Sequence, residues 1–278
     1  MDLHVLLLVL FAAVLHAGWN ALVKAGNDKL VMQALIIFGS SLPAMFAVPF
    51  LPLPDPTSWP FLAASVTIHA VYYCTLTYAY EHGDLSQVYP IARGSSPAMV
   101  AVVAWILAGE SLTLLEGAGI ALLSIGIISL ARPHGADGKR AIWWAMATGI
   151  TIAAYTIADG LGGRSTENVW SYVAWLFVLE AQVVIWFALW RRRGRIRTAL
   201  APVWKKGLIG GLCAGVSYGI AIWAMTLAPL AHVVALRETS VIAATVIGTL
   251  LLGESFGSRR ITAAILVACG AGLLRIAG

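Results

Sequence analysis

Two arginines, Arg93 and Arg237, lie within long apolar stretches of the sequence. A charge that is buried in apolar surroundings is costly unless an anion is paired with it. The guanidinium fork donates two parallel hydrogen bonds, which suits planar oxyanions such as a carboxylate or a phosphonate-like group. The two arginines are therefore predicted to bind the anionic group of a small molecule. The alternative is structural: each arginine is neutralised within the protein, Arg237 by Glu238 or by Glu180.

Three carboxyl groups in similar surroundings are candidates for ion coupling. Glu180 lies in the middle of an apolar stretch, and Asp159 and Glu238 lie in two others. A carboxyl in such surroundings either exchanges a proton as part of a function or forms half of a buried ion pair. Both alternatives stay open for Glu180, as a proton-coupling site or as an ion pair that fixes its helix. The same two alternatives apply to Asp159, which is predicted to lie closer to the membrane interface.

A polar stripe runs along the first apolar stretch. His16, Asn20 and Lys24 recur at intervals of four residues, which places them on one face of a helix, and Trp19 is next to Asn20. Such a stripe through an apolar helix predicts one wall of the binding cavity. The alternative is a seam of hydrogen bonds between neighbouring helices.

Aromatic residues are concentrated in the third and fourth stretches and recur in the second half of the chain: Tyr72, Tyr73, Tyr78, Tyr80, Tyr89, Tyr155, Tyr218 and Trp223. Most aromatic residues are predicted to form the belts that lie at the two faces of a membrane protein. Tyr78 and Trp223 are the two that we predict to lie in the cavity. His69 is predicted to be a buried histidine with satisfied hydrogen bonds rather than a proton relay.

The composition indicates that lipid surrounds these elements. Hydrophobic residues make up 60% of the 278 residues and charged residues 11%, against about 25% charged in a soluble domain. A spanning helix needs about 20 apolar residues, and ten such stretches lie at 3–25, 30–51, 59–81, 86–108, 113–131, 141–163, 169–190, 202–227, 232–252 and 258–276. Because these stretches are continuous, they predict helices and not a barrel. The predicted fold is an all-α polytopic membrane protein with ten transmembrane helices.

An internal repeat relates the two halves of the chain. A shift of 144 residues aligns Arg93-Gly94-Ser95-Ser96 with Arg237-Glu238-Thr239-Ser240, and Gly109-Glu110-Ser111 with Gly253-Glu254-Ser255. Seven of the 19 positions from 93 to 111 are identical in the second copy. Apolar bias does not explain matched arginine, serine and Gly-Glu-Ser residues, so the fourth and ninth helices are predicted to be homologous.

The repeat spans five helices, so the second copy enters the membrane with the opposite polarity. Residues 1–131 and 141–278 are therefore predicted to form two inverted five-helix repeats. Inverted repeats are a recurring architecture of secondary transporters, whose substrate site lies near the midplane between the copies. Pro90 and Pro97 have no counterparts in the second copy, so the fourth helix is expected to be more bent than the ninth.

At this point the sequence resembles the drug/metabolite transporter superfamily, and within it the ten-helix EamA-type transporters. The resemblance is carried by His16-Ala17-Gly18-Trp19-Asn20-Ala21 in the first helix, by Tyr78, Tyr80 and Glu81 at the end of the third, by the paired Gly-Glu-Ser turns and by Gly270 and Gly272 in the last helix. It implies a monomeric bundle of five plus five helices around a central cavity. It also implies substrates such as amino acids and related metabolites, often exported.

The basic residues are distributed unevenly between the two faces of the predicted bundle. Fourteen lie on one face: Lys24, Lys29, Arg132, Lys139, Arg140, Arg191, Arg192, Arg193, Arg195, Arg197, Lys205, Lys206, Arg259 and Arg260. Arg164 and Arg275 lie on the other. The positive-inside rule places the first face in the cytoplasm. Both termini would then face outward, whereas the family resemblance implies termini in the cytoplasm. The membrane is expected to be the inner membrane of the cell. The net charge of +5 needs no nucleic-acid partner.

The sequence therefore predicts a secondary active transporter that exports an amino acid or a related anionic or zwitterionic metabolite by alternating access, driven by a proton or another ion. The alternatives are a membrane-embedded enzyme and a non-transporting receptor. Gly253-Glu254-Ser255-Phe256-Gly257 matches the G-x-S-x-G pattern of a catalytic serine, but that motif needs a strand–turn–helix context. No metal, nucleotide or dinucleotide motif is present, so we expect neither an enzyme nor a bound cofactor.

Overall fold

The helices of the chain alternate in direction through a layered bundle. The computed structural model describes residues 1–25, 28–83, 85–131, 138–194, 196–252 and 257–277. Within them the helices are α1 (Leu3–Ala25), α2 (Lys29–Ala47), α3 (Trp59–His82), α4 (Leu85–Ala108), α5 (Leu114–Ile128), α6 (Gly138–Arg164), α7 (Val169–Arg191), α8 (Ile196–Leu200), α9 (Trp204–Leu227), α10 (Leu230–Arg237), α11 (Ser240–Leu252) and α12 (Ser258–Ala277).

Eight segments of the described chain are long and apolar enough to cross a membrane, one of them formed by α10 together with part of α11. The helix α5 is apolar but has only 15 residues. The helix α3 has 24 residues but carries serine, threonine, histidine and four tyrosines, and it is not among the eight. The chain is thus an all-helical, polytopic membrane protein over its described ranges, and the count of ten crossings stays a prediction.

Side chains cap three of the helices that enter the bundle. The hydroxyl of Thr113 accepts from the backbone N–H of Glu116, whose carboxylate accepts from the backbone N–H of Thr113, a reciprocal capping box. Asp28 caps α2 and Asn168 caps α7. A side-chain oxygen of each accepts hydrogen bonds from backbone N–H groups in the first turn of its helix. These caps fix where the short turns end and the apolar helices begin.

The two halves of the chain interlock rather than lie side by side. The most extensive helix contacts join a helix of the first half to one of the second: α3 and α4 with α6, α1 and α2 with α9, and α5 with α12. At the crossing of α5 and α12, Gly119 and Gly270 face each other, and a Cβ atom at either position would lie within 3 Å of the carbonyl oxygen of the other. Small residues allow such close backbone approach between membrane helices.

The two arginine-bearing segments run antiparallel. The backbone N–H of Leu230, at the start of α10, donates to the carboxylate of Glu110, just after the end of α4. At the other end, Arg93 in the first half of α4 contacts Glu238 just after the end of α10. This is the relation that an odd-numbered helical repeat requires.

The second arginine-bearing segment is divided where the first is continuous. α4 runs through both of its prolines, whereas α10 ends at Arg237 and α11 begins at Ser240. Through this break four backbone N–H groups bond to carbonyls three residues back, those of Glu238, Thr239, Val241 and Ile242. The hydroxyl of Thr239 donates to the carbonyl of Leu236. Such a tightened turn inside a membrane segment is typical of functional sites.

Gly207, Gly211, Gly215 and Gly219 recur at intervals of four residues along α9 and form a glycine stripe. This stripe provides a stability test of the helix packing. A Cβ atom at Gly211 would lie 2.5 Å from the Cα atom of Gly39 on α2, so Gly211→Ala must push the two backbones apart. We expect a loss of about 1–3 kcal/mol in the free energy of unfolding, measured by denaturant titration in detergent. Gly219→Ala is the matched control on the same stripe, because its nearest neighbours would lie at 3.5 Å. Equal stability of the two variants would contradict the close α2–α9 contact.

Candidate functional site

A cavity of about 360 Å³ opens between α1, α2, α3, α4 and α6. Its mouth lies at the helix ends that carry Asp28, Glu81 and Arg192, and Arg93 and Ile152 lie deeper among its lining residues. The mouth is on the face that carries the described basic residues of the turns, here called the basic face: Lys139, Arg140, Arg191, Arg192, Arg193, Lys205, Lys206, Arg259 and Arg260.

The first helix contributes part of its polar stripe to this cavity. Trp19 and Asn20 line it. His16 is one turn deeper and only 6% exposed, with its ring edge-on to Trp19 at 5.0 Å between centroids. The side-chain amide of Asn20 donates to the backbone carbonyl of His16 at 2.7 Å. The side chain of Lys24 lies outside the described residues.

The aromatic wall of the cavity consists of Tyr72 and Tyr80 on α3 and Tyr89 on α4. Tyr78, which the sequence predicted to lie in the cavity, is instead 48% exposed and stacks on Trp144 at 5.0 Å. The reason is the helical register. Positions 72, 76 and 80 share one face of α3, and position 78 lies on another. That spacing of four was the signal in the sequence for the correct tyrosines.

Arg93 forms a buried ion pair at the floor of the cavity. Its Nη2 and Nε atoms donate to the two carboxylate oxygens of Glu238, at 2.5 Å and 3.2 Å. The pair joins α4 to the break between α10 and α11. Glu238, which the sequence indicated as an ion-coupling residue or as the partner of Arg237, therefore neutralises Arg93.

Arg237 forms no ion pair among the described residues, and Glu238 attracts it only from a longer distance. It is 6% exposed, and its Nε atom has no hydrogen-bond partner there. Its guanidinium lies over the ring of Tyr218, with the Cζ atom 5.1 Å from the centroid, a cation–π contact. Arg93 is close enough to repel it electrostatically. The two arginines and Glu238 thus carry one uncompensated positive charge.

Asp159 is fully buried within the protein, and it lies in the second half of α6, which ends at Arg164. Its two carboxylate oxygens accept hydrogen bonds from the phenols of Tyr172 at 3.0 Å and Tyr218 at 2.5 Å. Tyr218 thus connects Asp159, through its hydroxyl, to Arg237, through its ring. Gly162 makes room for this arrangement, because a Cβ atom there would overlap the ring of Tyr172.

Glu180 belongs to a second buried group on α3 and α7. The phenol of Tyr73 donates to its Oε1 atom at 2.6 Å, and the Nε2 atom of His69 lies 3.8 Å from the same oxygen. His69 also stacks on Tyr155, with 4.0 Å between the ring centroids. No arginine or lysine pairs with Glu180 in the described chain, so an ion pair that fixes α7 would require a protonated His69.

The opposite face of the bundle is closed by Glu110 and Arg164. Nη2 of Arg164 donates to the Glu110 carboxylate at 2.8 Å. The same guanidinium donates to the backbone carbonyls of Met225 and Ala228, at 2.7 Å and 2.9 Å. Since the carboxylate also accepts from the start of α10, this clamp ties the ends of α4, α6 and α9 together.

A shallow depression of about 500 Å³ lies beside this clamp, between α6, α7 and α9. Its lining includes Gly163 and Arg164, which the 144-residue shift aligns with Trp19 and Asn20 of the cavity. Trp223, predicted from the sequence to lie in the cavity, lines this depression instead. The depression is thus the counterpart, on the opposite face, of the cavity on the basic face.

Two polar latches join the halves of the chain, one at each face: the start of α2 to the end of α7, and the turn before α3 to the turn between α6 and α7. On the basic face Asp28 accepts from Arg192 at 2.8 Å. Burial raises the pKa of Asp28, but the hydrogen bonds from Arg192 and from the backbone of Val31 outweigh burial and hold that pKa below its usual range. On the opposite face the backbone of Glu167 and the hydroxyl of Thr166 donate to Asp55 and lower its pKa.

These pKa directions imply that both latches are intact at neutral pH. A carboxyl whose pKa is lowered on folding stabilises the protein above its ordinary pKa, and this contribution is lost as the pH falls through the lower folded value. Each face therefore keeps one polar contact between the two halves of the chain at neutral pH, and the contact of Asp28 with Arg192 lies at the mouth of the cavity.

The fold and the site together define a polytopic helical membrane protein with a polar cavity between two interlocked sets of helices. No group of three or more potential metal ligands is found within the described ranges. The chain belongs to the EamA-like transporter family, whose profile matches residues 3–132 and again residues 139–276. It is therefore a membrane transporter of the drug/metabolite type, with a lipid bilayer and a small-molecule substrate as its partners.

Similarity to solved structures agrees with this assignment at the level of the fold. A structure titled only "Crystal structure of protein" aligns with 97% of this chain and 96% of its own, with a TM-score of 0.75 and 16% sequence identity. No curated protein matches the sequence.

Proposed function

We propose that the chain is a secondary active transporter that carries an amino acid or a related small anionic or zwitterionic metabolite by alternating access. The observation that carries this proposal is the buried guanidinium of Arg237, which lacks an anion in the described structure. An uncompensated buried charge is expensive for a protein to maintain, and a site for an anionic cargo is a function that requires it.

The cargo carboxylate would bind beyond the floor of the cavity, between Arg93, which lines the cavity, and Arg237, which lies behind its lining. His16 interacts electrostatically with both arginines, so α1 reaches the same place. Arg93 is already neutralised by Glu238, which leaves Arg237 to supply the net attraction. The ammonium group or apolar part of the cargo would then face the aromatic wall of Tyr72, Tyr80 and Tyr89, whose rings bind cations and apolar groups alike.

Alternating access is supported by the unequal state of the two faces. The cavity opens on the basic face, while the Glu110–Arg164 clamp closes the opposite face. We propose ten crossings in two inverted repeats, residues 1–131 and 141–278, whose relative motion would exchange the two states. The positive-inside rule assigns the basic face to the cytoplasm, so this conformation is inward-facing, both termini lie outside, and the protein is a monomer of the inner membrane.

The clamp provides a test of the closed face. Glu110→Gln removes its charge, so we expect the opposite face to open about fivefold more often, as for an ion pair that is partly open to solvent. After replacement of the three native cysteines, Thr226→Cys in the depression would report opening as the rate of labelling by a membrane-impermeant maleimide. Glu167→Gln, a charge change on the same face outside the clamp, is the control. Equal labelling rates in both variants would rule out the clamp as a gate.

A direct test of the proposed cargo is a ligand screen followed by flux. Purified protein is screened by thermal shift against amino acids, organic anions and amines, and the hits are tested for counterflow in proteoliposomes. We expect stabilisation by carboxylate compounds and counterflow of at least one. Binding without any flux would favour a receptor, and stabilisation by amines alone would contradict the anionic site. A reporter fused to the C-terminus tests the orientation, since a cytoplasmic signal would refute the outward assignment.

A further inference from the structure

The tautomer of His69 is determined by its local hydrogen bond. The Nδ1 atom lies 2.9 Å from the backbone carbonyl oxygen of Ser65, one turn earlier on α3. A carbonyl oxygen only accepts hydrogen bonds, so we assign the hydrogen to Nδ1. The hydroxyl oxygen of Ser65, 3.2 Å from the same nitrogen, then serves as a second acceptor. In a neutral imidazole the other nitrogen, Nε2, then has a free lone pair.

That lone pair faces a carboxylate rather than a donor. Nε2 lies 3.8 Å from the Oε1 atom of Glu180, and the two side chains are only 6% and 11% exposed. Two acceptors that face each other in a buried site repel unless a proton lies between them. The only donor to Oε1 in the described structure is the phenol of Tyr73, which leaves the position between the imidazole and the carboxylate for one exchangeable proton.

We propose that His69 and Glu180 form the binding site of the coupling proton, and that this proton moves in the same direction as the cargo. The inference rests on the proposed function and adds the identity of the coupling ion and the sign of the coupling. It also revises the sequence-based prediction that His69 is a buried histidine without a role in proton transfer.

The proton reaches this site from the cavity. Tyr72 lines the cavity, and its ring lies edge-on to His69 at 6.4 Å. On loading, water in the cavity gives up one proton, which forms an N–H bond at Nε2 of His69 and a hydrogen bond to the Glu180 carboxylate. On release the same proton returns to water, and no electron is exchanged.

Two permanent cations lie near the site among the described residues, Arg93 and Arg237, and both act electrostatically on Tyr155, which stacks on His69. The titratable groups that face it from its own and neighbouring helices are Tyr72 and Tyr73 of α3, Tyr155 and Asp159 of α6, Tyr172 of α7 and Tyr218 of α9. Asp159 is an anion close enough to interact electrostatically with His69, and its oxygens accept hydrogen bonds from two phenols. Arg93 is neutralised by Glu238, so the net positive charge that acts on the site is that of Arg237.

The position of Tyr218 sets the sign of the coupling. The His69 ring lies 6.4 Å from the Tyr218 ring, and the guanidinium of Arg237 lies 5.1 Å from it. A cargo anion at Arg237 cancels the repulsion between the guanidinium and a protonated His69. Charges about 10 Å apart at an effective dielectric constant of about 20 change each other's binding by about tenfold. Because such coupling is reciprocal, the proton also favours binding of the cargo.

This sign of coupling has a consequence for direction. A proton and a cargo that bind together cross together, so an inward proton gradient drives uptake of the cargo. The family resemblance instead suggested export. A proton-driven exporter requires competition between the proton and the cargo, which is the opposite relation.

The experiment compares two kinds of flux in proteoliposomes that contain the wild type, Glu180→Gln or His69→Gln. A radiolabelled pool of the twenty L-amino acids is the probe. Counterflow at equal pH measures exchange, and accumulation under a pH difference of one unit, acid outside, measures coupling. For one proton per cargo the wild type should accumulate label about tenfold. Both variants should lose accumulation, whereas exchange should persist but fall by up to about tenfold at limiting label, because no proton then favours binding of the cargo.

His82→Gln is the matched control. His82 lies at the end of the same helix, and its Nδ1 atom makes the same bond to the carbonyl four residues earlier, that of Tyr78 at 2.8 Å, but no carboxylate is recorded within ion-pair distance of it in the described chain. Retained exchange shows that each variant is folded. Wild-type accumulation in both variants would overturn the proton site and leave the transporter intact. Absence of exchange in the wild type would overturn the proposed cargo, and this inference with it.

Discussion

Arg237→Gln is expected to abolish transport of a carboxylate cargo and at the same time to stabilise the protein. The guanidinium is buried on the ring of Tyr218 without an anion in the described structure, so its removal relieves an uncompensated charge. A hydrogen bond to a charged group contributes about 1.5–3 kcal/mol, so the loss of the guanidinium should weaken binding by about tenfold to a hundredfold. Counterflow in proteoliposomes measures the first effect, and unfolding in detergent without cargo measures the second.

The two readings together separate a binding role from a structural one. Arg275→Gln, an exposed arginine in the last turn of α12, is the control for loss of one positive charge and should change neither quantity. A destabilised Arg237→Gln protein would mean that the guanidinium has an internal anion. Full transport by a stable variant would mean that the cargo does not contact it.

Arg93→Gln should have the opposite effect on stability. Arg93 and Glu238 are both buried and are bonded through two hydrogen bonds. Removal of one partner leaves a buried charge without compensation, at a cost of about 3–5 kcal/mol. We therefore expect a low yield of folded protein and an early unfolding midpoint, instead of an inactive but well-folded transporter.

The double variant Arg93→Gln with Glu238→Gln tests whether this loss comes from the pair. It removes both charges and should recover most of the stability of the single variant, because two neutral amides can still bond to each other. If the double variant were less stable than the single one, the stability attributed to the ion pair would have another origin.

Much of the fold follows from local features of the sequence. The apolar stretches predicted the helices to within a few residues, and the residues Thr113 and Glu116 form the capping box that their spacing indicates. The division between α10 and α11 was not predictable in this way, because the local pattern around Glu238 contains neither proline nor glycine. It depends on where the Glu238 carboxylate must lie to reach Arg93 on another helix.

The candidate site was predictable in its residue types but not in its pairing. Burial of Arg93, Arg237 and Asp159 follows from their apolar surroundings. Which carboxylate neutralises which arginine depends on contacts between residues 145 positions apart. The His69–Glu180 contact between α3 and α7 was not predictable for the same reason. The sequence of neither helix indicates which of its faces contacts the other.

The aromatic residues show a second limit. Tyrosines occur on several faces of α3, so hydropathy gave no rotational register for that helix, and Tyr78 was chosen in place of Tyr72 and Tyr80. The Gly253-Glu254-Ser255 turn, the repeat counterpart of the turn at Gly109, lies outside the described residues.

The central claim, that a buried guanidinium recognises the carboxylate of the cargo, is tested most directly by a matched pair of solutes. Counterflow in proteoliposomes is measured for the L-amino acid with the highest exchange and for the amine that has the same side chain but lacks the carboxylate. We predict exchange of the amino acid and, for the amine, exchange at least tenfold slower. Equal exchange of the two solutes would contradict the account.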